Sequence, residues 1–149
     1  MHFDTHGELT PGIHFVSLNE LTNIWGFSIK RKELIESIIE VAQILKKLGC
    51  PILYIDGSFS NNWKEVPGDW DGCFALEGEP NAFLRAIISA EPRFVPLDKS
   101  IREQQKERFK CDLFPAWFCE NEKETFLEFF QHTRDGKPKG IIAINLRDL

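Results

Sequence analysis

The chain of 149 residues has no apolar run that approaches the roughly 20 residues needed for a membrane-spanning helix. It begins MHFDTHGELTPG, without a basic segment followed by an apolar one, so we expect no secretory signal and a cytoplasmic protein. Positive charge is not in excess, because 18 Lys and Arg stand against 23 Asp and Glu and the net charge is −5. This balance argues against a general nucleic-acid coat. Repeats and low-complexity tracts are absent, which favours one globular domain.

Cysteine pairs with metal-binding or redox spacing are also absent. The four cysteines form no C-x-x-C motif, and none has a His at a zinc-finger offset: Cys50, Cys73, Cys111 and Cys119. We therefore expect reduced, mostly buried thiols rather than a zinc site or a disulfide framework.

Apolar periodicity predicts alternating helices and strands. Apolar residues at three- and four-residue spacing predict a helix over residues 31–48, and a Ser17–Glu20 capping box predicts a short helix that ends near Gly26. A second capping box, Asn121–Glu124, predicts a helix through about Gln131. Further helices are predicted over residues 82–90 and 98–108, and strands over residues 51–56, 69–76, 109–115 and 140–146.

This order predicts an α/β (α+β) fold, in which helices back a small mixed sheet within a single domain. We assign residues 1–30 to an N-terminal arm, with a possible edge strand and a short helix, and residues 31–149 to the main domain.

The most informative stretch begins where the first of these strands ends. Gly57 and Ser58 follow a buried strand, and glycine lets backbone amides and a hydroxyl approach a phosphate closely. If the residues just after Ser58 are helical, their N-terminus adds positive potential at the same point. The sequence therefore predicts a phosphate-binding turn. For Asp56, stabilising the end of this strand is the preferred interpretation.

Acidic residues lie on the next two predicted strands. Asp69 and Asp71 alternate with Trp70, so the two carboxylates share one strand face. At about 4 Å and an effective dielectric constant of about 20 they repel by about 4 kcal/mol, and a divalent cation would reverse this. Asp112 on a later strand supplies a third acid, and Gly72 indicates a β-bulge. A solvated turn after Pro67-Gly68 is the alternative for the aspartate pair.

This constellation resembles the DNA polymerase beta-like nucleotidyltransferase superfamily. Its signature joins Gly-Gly or Gly-Ser to a nearby Asp-x-Asp pair and then to a third acid on a later strand, here Gly57-Ser58, Asp69 with Asp71, and Asp112. The wider sequence is similar to a small bacterial group of nucleotidyltransferase-like proteins of unknown function, over residues 9–12, 56–59, 67–71 and 134–141.

The resemblance implies a reaction and a ligand set. Asp69, Asp71 and Asp112 would be the catalytic residues and would hold Mg²⁺ or Mn²⁺, while Gly57 and Ser58 would hold a nucleoside triphosphate. A nucleoside monophosphate would then pass to a macromolecular acceptor, either a partner protein or tRNA. Such small proteins can belong to a toxin–antitoxin pair, which leaves an antitoxin-like binding module as the alternative function. A metal-dependent phosphoesterase is a third, weaker interpretation.

A basic segment near the third acid could assist such a ligand. Residues 99–110 carry five cations and two acids, and they include Lys106 and Lys110. We expect Lys110 to contact the nucleotide, as part of a clamp for a triphosphate or an RNA acceptor. A solvated helix face is the alternative.

Overall fold

A five-stranded mixed sheet forms the centre of the protein. The computed structural model describes residues 3–121 and 123–149. The strands are β1 (Gly12–Phe15), β2 (Ile52–Asp56), β3 (Trp70–Phe74), β4 (Cys111–Pro115) and β5 (Gly140–Asn145), in the spatial order β1-β5-β2-β3-β4. The pairs β1–β5 and β3–β4 are parallel, and β2 is antiparallel to both of its neighbours. The predicted α/β (α+β) fold with a small mixed sheet is confirmed.

In the described part of the chain, five α-helices accompany the sheet: α1 (Leu18–Trp25), α2 (Ile29–Lys47), α3 (Pro80–Ala90), α4 (Lys99–Phe109) and α5 (Phe126–Phe130). The capping box of Ser17 and Glu20 opens α1 as predicted, and Gly26 ends it.

The prediction of a second capping box at Asn121 and Glu124 was wrong. Asn121 accepts hydrogen bonds from the N–H groups of Lys123 and Glu124, which closes a local turn and not a helix. Thr125 and Glu128 form the capping box instead, so α5 begins only at Phe126.

The N-terminal segment is part of the same sheet. β1 pairs along β5 from Gly12↔Gly140 to Phe15↔Ala143, which places it at one edge. Gly140 permits the close approach, because a Cβ there would lie 2.1 Å from the Thr10 carbonyl oxygen. The first thirty residues thus supply an edge strand and α1, which lies in contact with α2.

The expected bulge at Gly72 is also wrong. Pairing runs without interruption through Ile55↔Gly72 on one side and Gly72↔Leu113 on the other. A Cβ at Gly72 would lie 2.6 Å from the Tyr54 carbonyl oxygen and 2.8 Å from Cζ3 of the buried Trp70 ring. Glycine is needed here because the Trp70 ring leaves no room for a side chain.

The two faces of the sheet are covered unequally. Alternation along β2 directs Leu53 and Ile55 into the main core, which also contains residues of α1, α2, α3 and α4. Tyr54 lies on the opposite face, in a smaller cluster with Phe126 and Phe130 of α5. The carboxylate of Asp56 has the same strand parity as Tyr54, so it lies on this thinly covered face.

One edge of the sheet is fixed to α4 by a buried glutamine. The Gln105 amide nitrogen donates to the Leu113 carbonyl at 2.9 Å, and its oxygen accepts from the Leu113 N–H at 2.9 Å. Because these contacts set the position of α4 along β4, they also position Arg102 and Lys106 beside that strand.

The expectation that the cysteines are mostly buried and unpaired is confirmed. Cys50, Cys73 and Cys111 are buried, Cys119 is exposed, and all four are free thiols. Within residues 3–121 and 123–149, no helix combines the length and the apolar character required to cross a membrane.

Candidate functional site

Three aspartates form a row across three adjacent strands. Asp56 ends β2 and pairs with Asp71 of β3, and Asp71 pairs in turn with Asp112 of β4. Directly opposed residues of neighbouring strands share a sheet face, so all three carboxylates lie on the face that α5 only partly covers. The structure therefore brings Asp71 and Asp112 together, as the sequence predicted, and adds Asp56.

Cations of α4 reach over the edge of the sheet to these acids. The Lys106 Nζ lies 3.2 Å from Asp69 Oδ2 and 3.1 Å from Asp112 Oδ2, so one ammonium bridges two carboxylates. The Arg102 Nε contacts Asp112 Oδ1 at 3.3 Å. Arg102 and Lys106 thus face the acids and pair with them, although both side chains remain about half exposed.

Asp56 is a site residue that the sequence analysis did not propose. Its Oδ2 forms an ion pair of 2.9 Å with Lys139, while its buried Oδ1 has no hydrogen-bond partner among the described residues. Burial is the largest cause that raises the Asp56 pKa above its ordinary value. The pattern of the sequence offered only its position at a strand end, because the pairing with Asp71 depends on a register that the sequence does not display.

Electrostatic strain is concentrated on Asp71. Burial, followed by the charges of Asp69, Asp112 and Asp56, raises the pKa of Asp71 from 3.8 to about 7, and Lys106 opposes this shift. The cations that contact the cluster do not fully offset its negative charge. The site therefore favours a proton or a further cation at Asp71.

The Gly57–Ser58 turn lies against this carboxylate. Gly57 has a φ of +80°, and a Cβ at this position would lie 2.2 Å from Asp71 Oδ2. Residues Gly57–Ser60 form a single 3-10 turn. The condition of a helix after Ser58 is therefore not met, and this turn is too short to supply a helix dipole.

Arg31 stabilises the Gly57–Ser60 turn through hydrogen bonds to backbone carbonyl groups. The buried guanidinium donates to the carbonyl oxygens of Phe59 at 2.6 Å and Ser58 at 3.3 Å, and to Asn61. Burial lowers its pKa to about 10. This arginine, which the sequence analysis did not single out, positions the backbone beside Asp71.

Lys110 lies apart from the aspartates. It ends α4 in the left-handed conformation, with a φ of 57°, and its Nζ donates to the Glu107 carbonyl at 2.9 Å. Its side chain lines a separate depression, together with Lys30 and Glu40. The structure therefore places the Lys110 side chain away from the predicted metal ligands, whereas Lys106 contacts Asp69 and Asp112.

A cleft of about 400 Å³ opens over the carboxylate row. Its lining has an acidic part (Asp56, Asp71, Asp112 and Glu120), an aromatic part (Phe114, Phe126, Phe129 and Phe130) and two arginines, Arg102 and Arg134. This volume falls within the range of small-molecule sites.

The donor set can be compared with the needs of a divalent cation. Carboxylate oxygens are the ligands that Mg²⁺ and Mn²⁺ prefer, and the unpartnered Asp56 Oδ1 adds one more oxygen to the site. In the part of the chain that the structure describes, no three His, Cys, Asp or Glu side chains are arranged to hold a metal ion. The Lys106 ammonium lies between Asp69 and Asp112 instead. The residues fit a divalent cation chemically, on condition that Lys106 moves aside.

Residues 1–145 match the model of a family described as a family of unknown function, DUF6932, and the chain belongs to this family. No curated protein and no solved structure matches the chain. The family match does not connect the chain to the DNA polymerase beta-like superfamily, so that resemblance depends on the motif residues of the sequence alone.

Proposed function

We propose that this protein is a metal-dependent nucleotidyltransferase that transfers a nucleoside monophosphate from a nucleoside triphosphate to a macromolecular acceptor. The acceptor is a partner protein, as in a toxin–antitoxin pair, or tRNA, and the reaction takes place in the cytoplasm. The observation that carries the proposal is the register-matched row of Asp56, Asp71 and Asp112 beside the Gly57 turn.

The metal ligands are assigned first. Asp69, Asp71 and Asp112 hold Mg²⁺ or Mn²⁺, which supplies neutralisation of the phosphates and a lower pKa for the attacking hydroxyl. The raised pKa of Asp71 supports this assignment, because burial and then the charges of its neighbours disfavour the ionised carboxylate, and a bound cation would offset both effects.

The protein groups bind the nucleotide and move the proton. Gly57 and Ser58 hold the triphosphate, while Lys106 leaves the carboxylates and pairs with a phosphate oxygen. Its departure frees an oxygen of Asp112, which accepts the proton of the acceptor hydroxyl. The hydroxyl oxygen then bonds to the α-phosphorus, and the bond from that phosphorus to pyrophosphate breaks.

Thermal stability with metal and nucleotide tests this proposal. Wild-type protein is melted with Mg²⁺ or Mn²⁺ and each ribonucleoside triphosphate, beside a double variant that carries Asp69→Asn and Asp71→Asn. A ligand at about 100 times its Kd adds about 2.7 kcal/mol to the free energy of unfolding, so we expect a clear rise in Tm that the double variant lacks. Asp135→Asn, at an exposed turn, is the matched control. No rise in Tm with any pair of metal and nucleotide would contradict the proposal. If the Tm does rise, an assay of pyrophosphate release with tRNA or with a partner protein identifies the acceptor.

A non-catalytic, antitoxin-like binding module is the second candidate. The observation that favours it is the bridge from Lys106 to Asp69 and Asp112, which leaves these acids neutralised within the chain. The single variant Asp71→Asn separates the two functions. It abolishes transfer by an enzyme, whereas a module that neutralises its partner by contact retains partner binding.

A further inference from the structure

We propose that the aromatic part of the cleft is the base subsite of this protein, in which Phe129 stacks on the nucleobase and Arg134 binds the phosphates. This inference deepens the proposed function and rests on it. It assigns roles to residues of α5 and of the following turn, neither of which belongs to the acidic motif.

The aromatic rings that line the cleft are not equally available to a ligand. Phe114 and Phe126 stack on each other with centroids 4.1 Å apart and an interplanar angle of 2°, so each ring has one face occupied by the other. Phe130 is buried. Phe129 is 40% exposed, and its ring is 5.8 Å from Phe130, which supports it from the core side.

A planar ligand could cover the exposed part of the Phe129 ring. Phe129 presents apolar surface to water in a cleft that is also lined by acids. A flat aromatic ring can pack on that surface while its polar edge remains in contact with water. Every nucleobase has such a ring, and stacking on an aromatic side chain tolerates any base.

Of the two arginines that line the cleft, Arg134 is the one available to bind the phosphates of a ligand. Arg102 is already paired with Asp112. Arg134 is exposed and lines the same cleft, yet it makes no hydrogen bond or ion pair with the described residues. Its guanidinium is therefore available for an anion, and the planar fork of an arginine matches phosphate oxygens.

The acidic lining argues against an apolar or acyl ligand. Asp56, Asp71, Asp112 and Glu120 all line the cleft. Asp56 and Asp112 already have cation partners, whereas Asp71 and Glu120 form no ion pair with the described residues, so an uncharged ligand would leave these two carboxyl groups without a cation. A nucleotide that enters with a divalent cation brings positive charge to the acids, an aromatic ring to Phe129 and phosphates to Arg134. One ligand class thus satisfies the acidic, aromatic and basic parts of the cleft.

Calorimetric titration with two probes tests the proposal. The probes are a nucleoside triphosphate and inorganic tripolyphosphate, each with Mn²⁺, and tripolyphosphate carries phosphates but no base. We expect Phe129→Ala to weaken nucleotide binding about tenfold and to leave tripolyphosphate binding unchanged. Phe129→Trp restores nucleotide binding because it keeps an aromatic face, and Arg134→Ala weakens the binding of both probes.

The control is Phe15→Ala, on the opposite edge strand, where the side chain is 56% exposed. It should alter neither titration. If wild-type protein binds nucleotide and tripolyphosphate equally, or if Phe129→Ala weakens both or neither, the base subsite is refuted while the proposed function stands. If wild-type protein binds neither probe with Mn²⁺, the proposed function fails together with the subsite. Far-ultraviolet circular dichroism confirms that each variant is folded.

Discussion

Replacing Asp71 with Asn should stabilise the protein above neutral pH while it removes the proposed activity. The folded-state pKa of Asp71 is about 7, against an ordinary value of 3.8, so the folded chain binds a proton that the unfolded chain releases between these values. Stability from this group is therefore present at low pH and is lost as the pH rises towards 7. At about 1.4 kcal/mol per pH unit between the two values, ionised Asp71 costs about 4 kcal/mol.

The assay is urea denaturation of wild type and Asp71→Asn in metal-free buffer with chelator, at pH 4 and pH 8. We expect the variant to exceed the wild type by a few kcal/mol at pH 8, and the difference to shrink strongly at pH 4. Comparison of the two proteins at each pH removes the contribution of all other titrating groups. A difference that does not change between these pH values would refute the electrostatic reasoning, as would a variant less stable than the wild type at pH 8.

Three further substitutions examine the surroundings of Asp71. Arg31→Met should lower the free energy of unfolding by about 3 kcal/mol in urea denaturation, because several buried carbonyl groups lose their donor; a loss below about 1 kcal/mol would contradict this. Gly57→Ala should cost about 2 kcal/mol more than Gly136→Ala, which shares a φ near +80° but has open space at its Cβ, and equal costs would show that contact with Asp71 is unimportant. Lys106→Met should tighten Mn²⁺ binding about tenfold in calorimetry, because it removes the competing ammonium, and unchanged binding would refute that competition.

The helices and strands could largely be predicted because their signals are local. The apolar stripe of α2, the capping box of Ser17 and the alternation of Asp69, Trp70 and Asp71 each depend on residues within a few positions of one another. At the start of α5 the local pattern was misleading: Asn121 and Glu124 have the spacing of a capping box, but Thr125 and Glu128, which have the same spacing, open the helix.

The assembly of the site could be predicted only in part. Asp112 could be placed beside Asp71 only on the condition that their two strands are neighbours, and the pairing of Asp56 with Asp71 depends on a strand register that no local pattern records. The position of Lys106 depends on how α4 packs beside β4, and the same packing leaves Lys110 facing elsewhere. Long-range packing therefore determines which cations meet the acids.

The Gln105 side chain has a consequence for self-association. An open edge strand presents unpaired N–H and C=O groups that can template pairing with another chain. Gln105 satisfies both groups of Leu113, as one peptide unit of a neighbouring strand would. The middle of the β4 edge is thereby closed to β-addition, beside the carboxylates, so a second polypeptide cannot extend the sheet there without first displacing α4. The acidic cleft can therefore remain open to solvent without an unpaired strand edge beside it that another chain could pair with.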